Sequence, residues 1–421
     1  MFDDLQIYDS RERFAVGLAD AALGAVTWPF RMRRAAGDRP DPRRVLVLRL
    51  ERIGDLLMVV DGLAALRASL PAARIDLVVG SWNAPLARAM AIADAVETID
   101  APWLARGARA STWPVMFARA RGWRQRRYDL AINLEPDIRT NLLLGMSGAS
   151  VRVGYSTGGG GSCLTDAAAY DPRVHTRDNA VQLVQRACAG WRDVGRGLSP
   201  GLDGGAEAPP DTSRVPRHDV GRPFRDGVGA RLSLPDAARA RAQALLGCGD
   251  GRRFIGVHAS GGRAVKQWHL DRFAAVASAL AREHGATIVM TGAAADAPLV
   301  RAVRQSMASE VPVLDVGGDL DLLTLAAVLE RCALFVTGDT GPMHVAAAVD
   351  TPTVAIFGPS DPARYRPLTD RHRVVRIDLP CSPCNRIRLP PERCRGHVPD
   401  CLDGIGVEDV LAAARELLRG T

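Results

Sequence analysis

The fold of this 421-residue chain is set by a stretch near its start, where residues 44–57 read RVLVLRLERIGDLL. Val45 to Leu50 is a short apolar run, and a polar turn with Gly54 and Asp55 follows it before the next apolar segment. A short apolar strand that passes directly into a helix is typical of a parallel sheet covered by helices on both faces. The stretch therefore predicts the first strand and helix of a Rossmann-like α/β domain.

The same alternation continues along the chain and then restarts. Apolar runs at Ile75–Val79 and Leu130–Leu134 follow in the first half. Four more runs follow in the second half, at Phe254–His258, Thr287–Thr291, Leu334–Thr337 and Thr353–Phe357. Between the halves, residues 192–230 are rich in Gly, Pro, Asp and Arg and have no apolar period, which is typical of a linker or surface excursion. We predict a helical extension at 1–43, Rossmann-like domains at 44–191 and 231–403, and a C-terminal helix at 404–421.

Composition narrows the class of protein. With 47% hydrophobic and 24% charged residues the chain is ordinary globular material, and its basic residues, net +7, are scattered. The charge therefore identifies no partner by itself, and we expect no nucleic-acid partner. The N-terminus has no secretory signal pattern, and no apolar run reaches the roughly 18 residues of a membrane span. These features predict a cytoplasmic protein.

The extension leaves two interpretations open. Phe14 to Phe30 is apolar and small, and Arg31, Arg33 and Arg34 follow it. It is either a helix packed on the first domain or an interfacial helix with a basic rim, in peripheral contact with the inner membrane.

Asp55 is the first candidate for chemistry. It follows the first strand, and ligands of open α/β sheets bind beyond the carboxyl ends of the strands. A carboxylate there is either a general base or a helix cap. A nicotinamide dehydrogenase is disfavoured because no G-x-G-x-x-G follows this strand.

Three polar loops follow strands of the second half, and together they favour a nucleotide diphosphate site over independent helix caps. Backbone amides at such loops bind phosphate oxygens, and a compact ammonium suits a departing diphosphate. Lys266 is the only lysine of the chain, among 54 Lys and Arg residues. The candidate donor-binding residues are His258, Lys266, Gly292, Asp296, Asp339, Thr340, Gly341 and His344.

A cysteine cluster lies near the C-terminus, within residues 381–401. Cys381 and Cys384 form a C-x-x-C pair, and Cys394 and Cys401 follow at irregular spacing. Four thiolates suit a structural zinc or iron ion, and reduced cysteines without a metal are the alternative. A catalytic metal is not expected, because a lysine and helix termini already serve the diphosphate.

These motifs resemble those of glycosyltransferase family 9, the ADP-heptose:lipopolysaccharide heptosyltransferases. The most specific part is GDTGPMH at 338–344, followed by PTVAIFGP at 352–359. The resemblance implies the GT-B fold, with two Rossmann-like domains facing each other across a cleft. It implies that Asp55 is the base that deprotonates the acceptor, and that Lys266 and the turn at 339–341 hold the donor diphosphate near His344. Asp296 stands where the family has a ribose-binding Glu.

The resemblance extends to the acceptor and to the reaction. Arg139, followed by Thr140, and Arg152, in Arg-Val-Gly-Tyr, resemble residues on the family's acceptor side, although Arg152 also fits a solvated face. The implied activity is inverting transfer of a heptose-like sugar from a nucleotide diphosphate donor to lipopolysaccharide or a related surface glycan. One alternative is an autotransporter-type protein heptosyltransferase, a group implied to bind iron through such cysteines. Another is a non-catalytic nucleotide-sugar-binding protein.

Overall fold

The structure is a computed structural model that describes residues 2, 5–7, 9–31, 41–104, 110–189, 232–247, 251–318 and 320–419. The predicted linker at 192–230 lies outside the described residues. The described residues form two parallel six-stranded sheets with helices around them.

The first sheet occupies the first half of the chain. Its strands β1 to β6 are Arg44–Arg49, Arg74–Val79, Ala95–Thr98, Leu130–Asn133, Val151–Tyr155 and Asp166–Ala168. The helices α1 to α7 are Ser10–Arg31, Ile53–Met58, Val60–Ser69, Ala84–Ala89, Trp113–Gly122, Ile138–Met146 and Thr176–Ala189. The strand order is β3-β2-β1-β4-β5-β6, so the first strand lies in the middle of the sheet.

The second sheet repeats this plan. Its strands β7 to β12 are Arg253–His258, Ala286–Met290, Val313–Asp315, Cys332–Gly338, Thr353–Ile356 and His372–Val375. The helices α8 to α15 are Asp236–Leu246, Leu270–His284, Ala297–Ser306, Leu322–Glu330, Gly341–Ala348, Pro362–Tyr365, Asp400–Asp403 and Val407–Arg419. The order β12-β11-β10-β7-β8-β9 places β7 between β8 and β10, as β1 lies between β2 and β4.

The central strands explain why the sequence chooses this fold. Val45, Leu46, Val47 and Leu48 of β1 have no exposed surface, although their side chains point alternately to opposite faces of the sheet. A strand buried on both faces needs helices on both sides, and parallel connections supply them. Every strand pair in both sheets is parallel, so the carboxyl ends of the strands share one edge in each domain. The two predicted Rossmann-like units are confirmed.

The predicted N-terminal helix is present as α1 and packs on the first domain. The Asp20 carboxylate accepts a hydrogen bond of 3.0 Å from the Gly160 amide. Val16, on the same side of the helix, lies against the same loop, since a Cβ on Gly159 would be 2.7 Å from Cγ1 of Val16. Within the described parts of the chain, no helix combines the length and the apolar content that crossing a bilayer requires.

Candidate active site

The helices that begin at the two sheets' carboxyl edges meet, and a glycine makes their contact close. A Cβ atom on Gly54 of α2 would lie 2.6 Å from Cδ2 of His344 in α12. A Cβ on Gly341, the first residue of α12, would face Ile53, the first residue of α2, at 3.5 Å. Any side chain at position 54 would displace the imidazole or separate the helices. The Gly of the Gly-Asp pair is thus explained by packing between the domains.

Asp55 lies in the first turn of α2, at this junction. Its Oδ2 accepts the backbone N–H of Arg52 at 3.1 Å, which is the geometry of a helix-capping carboxylate. Its Oδ1 is 3.7 Å from Nη2 of the buried Arg49, and 29% of the side chain stays exposed. The helix cap and the open carboxylate are therefore combined in one side chain. A carboxylate fixed in this way is oriented and still accessible to a substrate hydroxyl.

Lys266 and Asp339 form an ion pair across two loops of the second domain. The ammonium Nζ is 2.7 Å from Oδ2 of Asp339, and the side chains are 17% and 12% exposed. Burial alone would raise the pKa of Asp339, but the charge and hydrogen bond of Lys266, with smaller contributions from Ser360 and His344, bring it below its ordinary value. The only lysine therefore lies at the carboxyl edge, beside the turn at 339–341.

The lysine loop is fixed by a glutamine that our sequence reasoning did not single out. Gln267 accepts the Gly261 amide at 2.8 Å through Oε1 and donates through Nε2 to the carbonyls of Ala259 and Trp268. These bonds hold the loop between β7 and α9 in one shape. Gln267 directly follows Lys266 in the sequence, but nothing in the sequence indicates that its side chain bonds to the start of the loop.

His344 is buried between charged groups of both domains. Only 6% of the residue is exposed, and burial lowers the pKa of its imidazole although Asp339 and Asp55 oppose the shift. The side chain is therefore neutral at physiological pH. The hydroxyl of Thr340, at the start of the same helix, lies 3.1 Å from that of Thr337.

The third predicted loop, after β8, is tied to β7 through a histidine. Nδ1 of the buried His258 is 3.1 Å from Oγ1 of Thr291 and 3.2 Å from its carbonyl oxygen. Burial lowers the pKa of His258, and the nearby Asp296 opposes this. Asp296 accepts the Ala293 amide at 2.9 Å and so caps the following turn, while a Cβ on Gly292 would lie 3.1 Å from that of Asp296. Since β8, β7 and β10 are adjacent, all three loops share one edge.

A buried charge network behind Asp55 was missed by the sequence analysis. Glu135, only 1% exposed, accepts the backbone amides of Leu50 and of Glu51, the latter at 3.0 Å. Arg49 donates to the Asp55 carbonyl at 3.1 Å and pairs with Glu51 at 2.8 Å. Burial, reinforced by Glu51, raises the pKa of Glu135 to about 8. The network fixes the turn that carries Asp55, with Glu135 at the carboxyl end of β4.

The two predicted acceptor arginines lie in different settings. The Arg139 guanidinium pairs with Asp137 through Nε at 2.9 Å and lies 4.5 Å from the centroid of the Trp103 ring. Arg139 is in the first turn of α6, at the carboxyl edge, and 30% of its side chain is exposed. Arg152 lies near the amino end of β5 and donates to the carbonyls of Cys163 and Ala149, both at 2.7 Å. The structure therefore brings Arg139 to the site edge and uses Arg152 within the domain.

The four clustered cysteines line one cavity of about 270 Å³, together with Val265 and Pro359. The thiols of Cys381, Cys384, Cys394 and Cys401 are all free of disulfide bonds. Burial, followed by the other thiols of the cluster, raises the pKa of Cys401 to about 11. No group of His, Cys, Asp or Glu among the described residues is already arranged as a metal site. The donor set suits a thiophilic ion once the thiols converge, and the cavity reaches the residue beside Lys266.

Comparison with known proteins finds similarity to one family of glycosyltransferases. The sequence profile of glycosyltransferase family 9 (heptosyltransferase) matches residues 220–392. Lipopolysaccharide heptosyltransferase 2 of Salmonella typhimurium is 28% identical over 338 residues, which covers 79% of this chain and 88% of the relative.

Two solved structures share the fold. A family 9 glycosyltransferase from Veillonella parvula aligns with a TM-score of 0.71 and 24% identity, over 90% of this chain and 98% of the other. The E. coli ADP-heptose lps heptosyltransferase II aligns with a TM-score of 0.67 and 21% identity, over 90% of this chain and 99% of the other. The predicted GT-B arrangement is confirmed.

Proposed function

We propose that this chain is a family 9 glycosyltransferase that transfers a heptose-like sugar from ADP-heptose to lipopolysaccharide or a related surface glycan, which the family match and the relatives support. The observation that carries this proposal is the junction of the two domains, where the helix with the oriented carboxylate of Asp55 contacts the helix that follows the Lys266–Asp339 ion pair. The donor and acceptor assignments are supported by the relatives, which include a lipopolysaccharide heptosyltransferase and an ADP-heptose lps heptosyltransferase.

The proposed reaction is a single displacement that inverts the anomeric carbon. Asp55 accepts the proton of the acceptor hydroxyl as that oxygen forms the new glycosidic bond, and the bond from the anomeric carbon to the diphosphate breaks. This role is supported by the hydrogen bond that fixes one carboxylate oxygen and by the exposure of the side chain. The Arg49 and Glu135 network keeps the turn in place, so little reorganisation is needed at the moment of reaction.

The proposed leaving-group site is the loop edge of the second domain. Negative charge develops on the diphosphate as the bond breaks, and Lys266 and the amides at the start of α12 lie where they can stabilise it. Asp339 holds the ammonium in position, and the turn at Thr340 and Gly341 contributes backbone donors. His344 is neutral, so we assign it a packing and hydrogen-bonding role rather than a cationic one. His258, Gly292 and Asp296 form the adjoining part of the nucleotide pocket.

The acceptor is proposed to bind beside Arg139. The guanidinium suits phosphate or carboxylate groups of an inner-core glycan, and the Trp103 ring beneath it limits its motion. Arg152 is left out of this site because carbonyl groups of its own domain already occupy its guanidinium. We propose a cytoplasmic location, which the reduced state of the clustered Cys381, Cys384, Cys394 and Cys401 supports, since reducing compartments keep such thiols from forming disulfides.

The cysteine cavity is proposed to hold a structural zinc or iron ion through Cys381, Cys384, Cys394 and Cys401. Such an ion would brace the segment 381–401 against the lysine loop and take no part in the displacement. This cavity also favours the second candidate function, protein heptosylation of the autotransporter type. The non-catalytic alternative is disfavoured because both the oriented Asp55 carboxylate and the Lys266 ammonium are present.

The test is a transfer assay with purified protein, ADP-heptose and two acceptors: heptose-deficient lipopolysaccharide and an autotransporter passenger domain. We expect transfer to the lipopolysaccharide, and NMR of the product should find the anomeric configuration opposite to that of the donor. Transfer to the passenger domain alone would favour the second function. A product that retains the donor configuration would refute the single displacement, and consumption of a different nucleotide sugar alone would refute the proposed donor.

A further inference from the structure

One face of α1 is apolar and exposed along most of the helix. The exposed fractions of Phe14, Leu18 and Val26 are 52%, 51% and 69%, and the intervening residues on this face are alanines. The opposite face is held to the first domain through Asp20 and through Val16, whose Cγ1 would lie 2.7 Å from a Cβ on Gly159. The helix therefore presents a surface that the domain's own core does not use.

A second exposed apolar group lies at the start of α5. Trp113 and Val115 are 40% and 46% exposed. Trp113 stacks on Trp103 with a ring separation of 5.1 Å, and Trp103 carries the guanidinium of Arg139. From the other side, Glu12 of α1 acts electrostatically on the same guanidinium. The outer face of α1 and the start of α5 thus flank Arg139, and we call Phe14, Leu18, Val26, Trp113 and Val115 the docking face.

The segment that contains α5 carries basic residues and no acidic ones. Residues 101–128 contain seven arginines and neither Asp nor Glu. Among the described ones, Arg119 and Arg121 are exposed within α5 itself, on the two turns that follow Val115. Arginines beside exposed tryptophan and aliphatic side chains are the composition that binds the headgroup region of an anionic bilayer. A core-packing role would not leave these apolar side chains exposed.

We propose that the docking face seats the protein on an anionic membrane, so that Arg139 reaches the glycan of an acceptor anchored in that membrane. The apolar side chains enter the boundary between headgroups and acyl chains, and the arginines bind lipid phosphates. The inference rests on the proposed function only for the identity of the acceptor. Bilayer binding itself does not depend on it.

The first experiment measures co-sedimentation of the full chain with vesicles of phosphatidylethanolamine and phosphatidylglycerol, and with neutral phosphatidylcholine vesicles. We expect binding to the anionic vesicles that weakens with salt, and little binding to the neutral ones. Phe14→Glu/Leu18→Glu should weaken the binding about tenfold or more, because two apolar side chains no longer enter the interface. The matched control is Leu245→Glu/Leu389→Glu, which adds the same charge at exposed leucines of the second domain and should bind like the wild type.

Val115→Glu tests the α5 part of the face without touching the stacked tryptophans, and it should also weaken vesicle binding. Wild-type protein that stays in the supernatant with anionic vesicles, or a Phe14→Glu/Leu18→Glu variant that sediments like the wild type, would overturn the inference. If light scattering found the wild type to be a dimer and the Phe14→Glu/Leu18→Glu variant to be a monomer, the face would instead be an interface with a second copy.

A kinetic measurement separates this inference from the proposed function. On a glycan acceptor freed of its lipid, the Phe14→Glu/Leu18→Glu variant should turn over like the wild type. On the same acceptor embedded in anionic vesicles, its KM should rise about tenfold, in line with the lost binding. If the wild type transfers to neither acceptor, the proposed function fails, and the vesicle experiment still decides the docking face.

Discussion

The ion pair between Lys266 and Asp339 leads to a prediction in which two substitutions move nucleotide affinity in opposite directions. The ammonium and the carboxylate are 2.7 Å apart and mostly buried. Asp339 therefore neutralises part of the positive charge of Lys266, the group that we propose binds the donor diphosphate. Lys266→Ala should weaken ADP binding, whereas Asp339→Asn, which keeps the size and one acceptor oxygen of the side chain, should strengthen it.

The size of these effects follows from the burial of the pair. One unit charge about 6 Å from a phosphate, at an effective dielectric constant of about 20, contributes about 3 kcal/mol before screening by solvent. We therefore expect the ADP dissociation constant to rise about thirtyfold in Lys266→Ala and to fall about threefold to tenfold in Asp339→Asn. Lys266→Ala also leaves a buried carboxylate without its cation, which should cost about 2 kcal/mol of unfolding free energy. Lys266→Ala/Asp339→Asn should regain most of that stability.

Calorimetric titration with ADP and with adenosine, together with urea unfolding of each variant, measures both effects. Adenosine carries no phosphate, so its affinity should stay unchanged throughout. Lys266→Arg should recover part of the ADP affinity, because a planar fork replaces a compact ammonium poorly. If Asp339→Asn weakened ADP as strongly as Lys266→Ala does, Asp339 would itself contact the donor. If Lys266→Ala bound ADP normally, the phosphate site would not lie on this loop.

Three further predictions follow from the site. Asp55→Asn keeps the helix-capping oxygen but accepts no proton, so turnover should fall by about two to four orders of magnitude with ADP affinity within a few fold; parallel loss of both would make Asp55 a structural cap. Glu135 has a pKa raised to about 8, so the native protein should lose stability as pH rises from about 5 towards 9, and Glu135→Gln should remove much of that loss; identical melting temperatures against pH in both proteins would contradict this. Elemental analysis should find about one zinc or iron per chain, lost in Cys381→Ser/Cys384→Ser; metal-free protein of equal stability would leave the cysteines as free thiols.

The sequence predicted the central strands because they are buried on both faces. Seven strands are apolar runs, and their predicted bounds lie within two residues of the observed ones: β1, β2, β4, β7, β8, β10 and β11. The strands at the outer parts of the sheets, such as β3 and β9, gave no such run, since their residues are only partly buried or exposed. The order of the strands in each sheet could not be predicted either. Parallel strands are joined by crossover connections, and the sequence of a connection does not indicate which strands lie side by side.

The candidate site was predictable where one loop carries its own signal. The Gly-Asp pair, the singular lysine and the Gly-Asp-Thr-Gly turn each follow a recognisable strand, and the structure brings them to one junction. Glu135 carries no such signal, because its partners Leu50 and Glu51 are 84 or more residues away. Arg152 belongs to a recognisable motif, but it lies near the amino end of β5, whereas ligands of such sheets bind beyond the carboxyl ends of the strands.

The contact of Gly54 with His344 also bears on how such enzymes diversify. In the proposed function, the first domain holds the candidate base and the acceptor surface and the second domain holds the nucleotide-sugar site, so exchanging the second domain would be the simplest route to a new donor. The imidazole fills the space that a side chain at position 54 would need. In a chimaera built from two relatives, the domains can therefore pack together only if the residue at the position of His344 fits against the glycine at the position of Gly54. Recombination between family members should accordingly preserve this glycine and its facing residue as a pair, even where the rest of the cleft has changed.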